Sequence, residues 1–243
     1  MKRCERNPLI VYVSTAANSG AMTHACLNED KGCKPENDHH NEYTRSKAVA
    51  EQMLLESGLP SLVVRPSIVL SAGLPDRLFA RAILWFVPLL QQFEAVPVDP
   101  SSRLDIVPVD FVARSIVELM KAQNRRWNCY HLSAGPQEAT TCGAFARFLD
   151  SFYGRRQPLQ LVPPEHWDAR LHRAYVRTRE QRTFFGTLRY YLPFLNMDIV
   201  YDNARLRDGI GAVAAKVPNV TEYAGDLLRL ISTEEAEAER FKP

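Results

Sequence analysis

Two short apolar runs on either side of a segment with helical periodicity constrain this fold most. Residues 9–15 ("LIVYVST") and 61–69 ("SLVVRPSIV") are rich in β-branched residues and apolar on both faces, as are parallel strands covered by helices on each side. In the segment between them, Gly58 is placed to cap a helix C-terminus. Apolar residues recur there at helical spacing, namely Val49, Ala50, Met53 and Leu54. The sequence therefore predicts a βαβ unit and an α/β fold with a parallel sheet.

Further elements follow along the chain. Residues 129–133 ("CYHLS") predict a third strand. Amphipathic patterns predict helices over residues 109–122, 141–153 and 220–231. From about residue 155 the chain is richer in arginine and aromatic residues. We expect a small helical subdomain over residues 156–232, followed by a frayed acidic tail over residues 233–243.

Composition excludes several classes of protein. The 30 basic and 28 acidic residues are spread along the chain and give a net charge of +2, so nothing predicts a nucleic-acid partner. Five cysteines are an odd number without a disulfide-framework spacing, and no signal peptide is recognisable, so a reducing cytoplasm is predicted. The densest apolar run, residues 82–93, is too short to span a bilayer and is interrupted by Pro88. No membrane span is therefore expected.

The chemistry lies in the sequence "YTRSK", residues 43–47. Tyr43 and Lys47 are four residues apart on a predicted helix, so their side chains project from the same face. An ammonium group beside a phenol favours the phenolate, and such a phenol can exchange a proton with a carbonyl oxygen. The hydroxyl of Thr15, after the first strand, is suited to hold that oxygen, and the neighbouring Ser14 is a possible substitute.

The motifs together resemble those of the extended short-chain dehydrogenase/reductases. The sequences "VSTA", "YTRSKAVAEQML", "LVVRPSIV" and "DIVPVDFVA" are most similar to the branch of fatty acyl-CoA reductases and male-sterility-type thioester reductases. The later segment "YLPFLNMDIVYDNARL" is similar to the C-terminal part of that branch, so the resemblance covers about residues 8–210. It implies the C-terminal part of a Rossmann-like doubly wound parallel sheet over residues 8–155, with the helical subdomain on the substrate side.

The same resemblance implies a catalytic triad of Thr15, Tyr43 and Lys47. Thr15 would hydrogen-bond the substrate carbonyl, Tyr43 would be the general acid, and Lys47 would assist Tyr43 and bind the nicotinamide ribose. Further cofactor contacts are expected from the segment after the second strand, which is Pro66, Ser67 and Ile68. The expected reaction is reduction of an acyl thioester, on coenzyme A or a carrier protein, to an aldehyde or an alcohol. NADP or NAD would be the cofactor, and the resemblance favours NADP.

Basic and acidic side chains elsewhere have other expected roles. Arg170, Arg173 and Arg177, with His166, fall on one stripe of a predicted helix. This stripe is either a solvated face or a grip on the phosphates of coenzyme A or of a phosphopantetheine arm. Two aspartates in "DIVPVDFVA" are expected to serve structure, and the second lies where a carboxylate caps a helix N-terminus. These aspartates are Asp105 and Asp110.

One feature of the family is missing from the sequence. Among the 11 glycines none forms the GxGxxG turn that cradles a dinucleotide pyrophosphate. We therefore expect the chain to begin inside the fold and its run "LIVYV" to lie at a sheet edge open to a missing N-terminal half or to self-association. Two hypotheses follow: a truncated reductase that needs its other half, and a catalytically inactive remnant that serves as an interaction domain.

Two further alternatives stay open. Nucleotide-sugar epimerases and dehydratases share the triad and the Arg-Pro strand end, although the apolar C-terminal half favours an acyl substrate. A loop rich in histidine and cysteine could suggest zinc, but its spacing matches no compact zinc pattern. That loop carries His24, Cys26, Cys33, His39 and His40. We expect it to hold no metal and to lie beside the triad.

Overall fold

The computed structural model describes residues 8–20, 22–30, 38–39, 41–70, 84, 86–122, 124–189, 191–211 and 217–229. The strands are β1 (Ile10–Val13), β2 (Ala25–Leu27), β3 (Ser61–Pro66), β4 (Ile68–Leu70), β5 (Ala95–Val96), β6 (Arg103–Leu104), β7 (Ile106–Pro108), β8 (Cys129–Leu132), β9 (Thr140–Thr141), β10 (Gln160–Leu161) and β11 (Ile199–Tyr201). The helices are α1 (Glu42–Glu56), α2 (Val109–Lys121), α3 (Gly135–Glu138), α4 (Cys142–Phe152), α5 (Ala169–Tyr175), α6 (Arg179–Leu188), α7 (Leu192–Leu195), α8 (Ala204–Ile210) and α9 (Val220–Leu228). Short 3-10 turns cover Ala16–Ser19, Pro88–Gln92 and Pro164–His166.

Packing divides the described residues into two compact units, each built from three stretches of chain. Unit 1 comprises those within Met1–Val69, Asp105–Glu138 and Val200–Val217. Unit 2 comprises those within Leu70–Leu104, Ala139–Ile199 and Pro218–Pro243. The units group residues by contact, so the predicted subdomains over residues 8–155 and 156–232 stay predictions. The predicted tail lies outside the described residues.

Unit 1 is built on the predicted βαβ unit. Its three-stranded sheet has the order β1-β3-β8, and both pairs are parallel, with Val13 opposite Val64. The centre of β3 has no exposed surface, as expected for a strand covered on both faces. Within the described residues β1 pairs only with β3 and so forms an edge of this sheet. The predicted parallel α/β sheet is confirmed.

Helix α1 forms where the sequence predicts it but buries a different face. Asn41 caps its start by accepting a hydrogen bond from the Thr44 amide, and Gly58, with φ of 68°, follows its end. The apolar Met53 is 66% exposed, whereas the buried side chains are those of Thr44, Ala48 and Glu51. Glu51 makes a buried ion pair, described below, and this pair accounts for the burial of the partly polar face.

The core of unit 1 lies between the sheet and helices α2 and α8. Its buried members are Leu62, Val64, Val107, Phe111, Val112, Leu119, Tyr130, Leu132, Ala134, Leu206 and Val217. Buried Asp105 accepts hydrogen bonds from the amides of Ala134 (2.8 Å) and Tyr201 (3.0 Å), which agrees with its expected structural role. Asp110 lies in the first turn of α2 but makes no cap; its carboxylate instead pairs with Arg114 at 2.9 Å.

Among the described residues, unit 2 contains two small two-stranded sheets and the helices α4, α5, α6, α7 and α9. Strands β5 and β10 pair in parallel, and β6 and β9 pair antiparallel. Helix α9 packs on α4, where Gly225 faces the ring of Phe152. Both helices lie within the predicted ranges. Among the described residues of the chain, no helix is long and apolar enough to cross a membrane.

Candidate active site

Helix α1 carries Tyr43 and Lys47 on one face and places Lys47 at the end of β1. The Lys47 Nζ atom donates a hydrogen bond of 2.9 Å to the carbonyl oxygen of Val13, the last residue of β1. The same nitrogen lies 5.9 Å from the ring centroid of Tyr43 and 5.4 Å from that of Tyr12. Tyr43 is 58% exposed, so its phenol is open to a bound molecule. The structure thus brings Tyr43 and Lys47 together as the spacing predicts.

Two hydroxyl groups follow β1, and they differ in environment. Ser14 is 4% exposed, and its Oγ accepts a hydrogen bond of 2.9 Å from the side-chain amide of Asn18. Thr15 is only partly buried, and its Oγ1 accepts a weak hydrogen bond of 3.3 Å from the amide of Ala17 at the start of the 3-10 turn. An acceptor role leaves the Thr15 hydroxyl proton available for donation. Thr15 is therefore the more accessible donor, and its catalytic assignment stays a prediction.

The predicted cofactor segment leaves the sheet beside Thr15. Strands β1 and β3 are parallel neighbours, so their carboxyl ends meet at the same edge. Pro66 is buried at the end of β3, and the amide of Ser67 bonds to the carbonyl oxygen of Leu132 at 3.1 Å. Ile68 is exposed. One exposed apolar side chain, that of Ile68, thus follows the strand end from which Thr15 also emerges.

The residues at this strand end fit the ribose and ring of a nicotinamide dinucleotide. The Lys47 ammonium has three N–H groups, and in the described part of the chain only the Val13 carbonyl accepts one. Its other N–H groups suit the hydroxyls of a ribose. The exposed apolar side chain of Ile68 suits the flat face of a ring. The roles of Lys47, Pro66, Ser67 and Ile68 in binding stay predictions.

A buried ion pair behind the site is absent from the sequence predictions. Glu51 on α1 has no exposed surface, and its carboxylate accepts hydrogen bonds from Arg65 Nε at 3.1 Å and from Asn18 Nδ2 at 2.8 Å. Arg65 Nη1 also donates to the carbonyl oxygen of Glu29 at 3.1 Å. One sequence signal pointed to Glu51. It follows Lys47 by four residues, the spacing that also separates Tyr43 from Lys47, so all three side chains share one helix face.

A neutral histidine adjoins this pair. The amide of His131 donates to the Glu29 carboxylate at 3.0 Å, and burial raises the pKa of Glu29. The His131 Nδ1 atom lies 3.2 Å from the carbonyl oxygen of Asp202. Because a carbonyl only accepts, Nδ1 carries the proton. Burial, with the positive charge of Arg65, lowers the pKa of His131 to about 3.

The histidine- and cysteine-rich segment is partly described. Cys33 and His40 lie outside the described residues. Cys26 is exposed on β2, and β2 pairs with β11 in a small sheet. Within the described ranges, no group of three or more histidine, cysteine or acidic side chains could hold a metal ion.

The predicted basic stripe is only partly helical. Helix α5 ends at Tyr175, so Arg170 and Arg173 share it, whereas Arg177 lies beyond and pairs with Glu94 at 2.9 Å. The prediction of one continuous stripe is therefore wrong. Within unit 2, Arg173 borders a cleft of about 580 Å³. The aromatic wall of this cleft is Trp167 stacked on Phe185, with ring centroids 6.1 Å apart.

Similarity to known proteins supports the resemblance seen in the motifs. Residues 1–116 match the model of an NAD-binding family described as male sterility protein. An aldehyde reductase, lnbA of Aspergillus flavus, is 25% identical over 142 residues, which are 52% of this chain and 14% of that protein. The family match confirms the predicted nicotinamide dinucleotide cofactor.

Two solved structures of reductase domains share the fold. The terminal R domain from the myxalamid PKS-NRPS biosynthetic pathway is 22% identical with a TM-score of 0.65, and the match covers 96% of this chain and 59% of that domain. A thiolation-reductase di-domain from an archaeal non-ribosomal peptide synthetase is 18% identical with a TM-score of 0.65, over 93% of this chain and 49% of that structure. The chain thus spans less than two thirds of the aldehyde reductase and of both these structures. The Rossmann-like fold predicted from the sequence is confirmed.

Proposed function

We propose that this chain carries the catalytic groups for reducing an acyl thioester. The proposal is supported by the match of residues 1–116 to the model of an NAD-binding family described as male sterility protein. The product is an aldehyde, or an alcohol after a second reduction, and NADPH is the favoured reductant. The observation that carries the proposal is the position of Lys47, between the Val13 carbonyl and the ring of Tyr43. When bound, the reduced nicotinamide supplies the hydride.

Three side chains have distinct roles in this proposal. Tyr43 donates its phenolic proton to the thioester carbonyl oxygen as negative charge develops there. Lys47, with its positive charge near the ring, stabilises the phenolate that remains. Thr15 donates a hydrogen bond to the same carbonyl oxygen and fixes its position. Once the carbonyl carbon has received the hydride and its oxygen the Tyr43 proton, the product is a hemithioacetal. Its hydroxyl proton then returns to the Tyr43 phenolate as the C=O bond re-forms and the carbon–sulfur bond breaks. The departing sulfur takes up a proton from solvent and leaves as a thiol.

The thioester class of substrate is supported by the domains to which structurally similar reductases are joined. One matching structure joins a reductase domain to a thiolation domain, and another is a terminal R domain of a PKS-NRPS pathway. In unit 2 of this chain, Arg173 offers a guanidinium beside an aromatic cleft. We assign that guanidinium to a phosphate group of coenzyme A or of a phosphopantetheine arm.

A substrate comparison tests the reaction class. The chain is incubated at about 1 mM NADPH with an acyl-coenzyme A, with the free acid, and with a nucleotide sugar. Any aldehyde is trapped as an oxime and identified by mass spectrometry. The proposal predicts the oxime, or the alcohol, from the thioester alone. Conversion of the nucleotide sugar, or no conversion of any compound, would contradict it.

A further inference from the structure

Glu51 lies on the same face of α1 as the two proposed catalytic side chains. Tyr43, Lys47 and Glu51 follow at intervals of four residues, each about one helical turn from the next. Exposure falls along this face, from exposed Tyr43 to half-buried Lys47 and fully buried Glu51. The face therefore enters the interior of unit 1 at Glu51, directly beyond Lys47.

The Glu51 carboxylate joins α1 to both strands that form the site. Arg65, near the end of β3, donates to it from Nε at 3.1 Å and again from Nη2. Asn18, in the 3-10 turn after β1, donates to it from Nδ2 at 2.8 Å. The Glu51 carboxylate thus fixes the position of α1 relative to the carboxyl ends of β1 and β3.

Asn18 extends this connection to the proposed hydroxyl donor. Its Nδ2 also donates to Ser14 Oγ at 2.9 Å, and Ser14 directly precedes Thr15. Asn18 itself has no exposed surface. The end of β1, with the Val13 carbonyl that receives the Lys47 hydrogen bond, is therefore linked through Asn18 to the helix that carries Lys47.

A buried ion pair of this kind adds little net stability compared with apolar side chains of similar size, because both charges lose their hydration. Its particular effect is geometric, since each donor reaches the carboxylate from one direction only. We propose that Glu51, Arg65 and Asn18 are positioning residues that hold α1 at the depth where Lys47 meets the end of β1. Their relevance to catalysis rests on the proposed function; the geometry itself does not.

Lysine acylation measures this geometry without turnover or cofactor. The rate at which Lys47 reacts with an amine-acylating reagent is measured by mass spectrometry, with exposed Lys121 in the same chain as internal control. The main variant is Asn18→Leu, which has a similar volume, changes no charge and leaves the Arg65–Glu51 pair intact. The second is the double variant Glu51→Met with Arg65→Met, which removes both charges together and is expected to stay folded.

We expect Lys47 to react about fivefold faster in both variants, the effect of losing one typical hydrogen bond, with Lys121 unchanged. If either variant unfolds cooperatively at the wild-type temperature while Lys47 reacts at the wild-type rate, the positioning role is wrong. If one variant fails to fold, the other decides by the same measure. Failure of both to fold would also overturn the proposal, because the network would then be required for the fold itself.

Activity separates this inference from the proposed function. In a chain that reduces thioesters, Asn18→Leu should lower kcat and leave KM unchanged, and should have little further effect in a Tyr43→Phe background, since the residues act as a unit. Faster Lys47 labelling in a chain that reduces no thioester would contradict the proposed function and leave the positioning role intact.

Discussion

The ammonium nitrogen of Lys47 lies 2.9 Å from the carbonyl oxygen of Val13, two residues before Thr15. This contact places the positive charge of the helix at the carboxyl end of the strand. It also leaves two of the three N–H groups of Lys47 without an acceptor among the described residues, so the lysine can hold β1 and a ligand hydroxyl together.

The charge of Lys47 should control the rate of reduction. In Lys47→Met, no ammonium remains near the ring of Tyr43 to stabilise the negative charge left on it after proton transfer. The maximal rate should therefore drop, and cofactor affinity should weaken because the proposed ribose contact is lost. Lys47→Arg keeps the charge and should retain part of the wild-type rate. Equal kcat values for wild type and Lys47→Met would exclude the role.

The guanidinium of Arg173 should contribute to binding rather than to chemistry. Losing one charge-assisted hydrogen bond to a phosphate in Arg173→Gln should raise KM for an acyl-coenzyme A by about tenfold or more, with kcat unchanged. The matched control is Arg147→Gln, an exposed arginine of α4. A thioester of N-acetylcysteamine, which has no phosphate, should show equal KM values in all three proteins. A tenfold effect on that small thioester too would argue against phosphate recognition.

His131 should stay neutral throughout the physiological range. Its pKa is lowered to about 3 from an ordinary value of 6.5, mainly by burial. Because the unfolded chain takes up the proton first, stability contributed by neutral His131 is present above pH 6.5 and is lost as pH falls toward 3. A long-range nitrogen–proton NMR spectrum should show the Nδ1–H tautomer without titration between about pH 5 and 8. A midpoint in that interval would contradict the buried environment.

Binding of the dinucleotide by the 243-residue polypeptide should be weak. The sequence contains no GxGxxG turn, and loss of three hydrogen bonds to a pyrophosphate, each worth about 1.5–3 kcal/mol, weakens binding by about a thousandfold or more. Titration followed by nicotinamide fluorescence should give a dissociation constant in the millimolar range. A micromolar value would mean that other residues of the chain bind the pyrophosphate.

Local patterns in the sequence were enough to predict the framework of the site. The strands before Thr15 and around Pro66 follow from β-branched runs, and the spacing of Tyr43 and Lys47 on one helix face needs only helical geometry. These features depend on neighbours within a few residues. They are therefore readable without knowledge of the tertiary structure.

Features that depend on distant partners could not be read in the same way. Glu51 and Arg65 are 14 residues apart, and no periodicity indicates that their side chains meet. The partly polar buried face of α1 follows from this pair rather than from its apolar residues. By contrast, the break in the basic stripe had a local signal. Thr178 and Gln181 form a capping box that begins α6, and this pattern marks a new helix start.

The proposed reaction depends most on Tyr43. In a single-turnover experiment, NADPH carrying deuterium at the transferred position is mixed with an acyl-coenzyme A, and the trapped aldehyde is analysed by mass spectrometry. Tyr43→Phe is compared with wild type and with Tyr175→Phe, a control that removes another partly exposed phenol. We predict deuterated aldehyde from wild type and Tyr175→Phe. In Tyr43→Phe the rate should be lower by a factor of at least about 100. A rate within about threefold of wild type in Tyr43→Phe would contradict the assignment of Tyr43 as the proton donor.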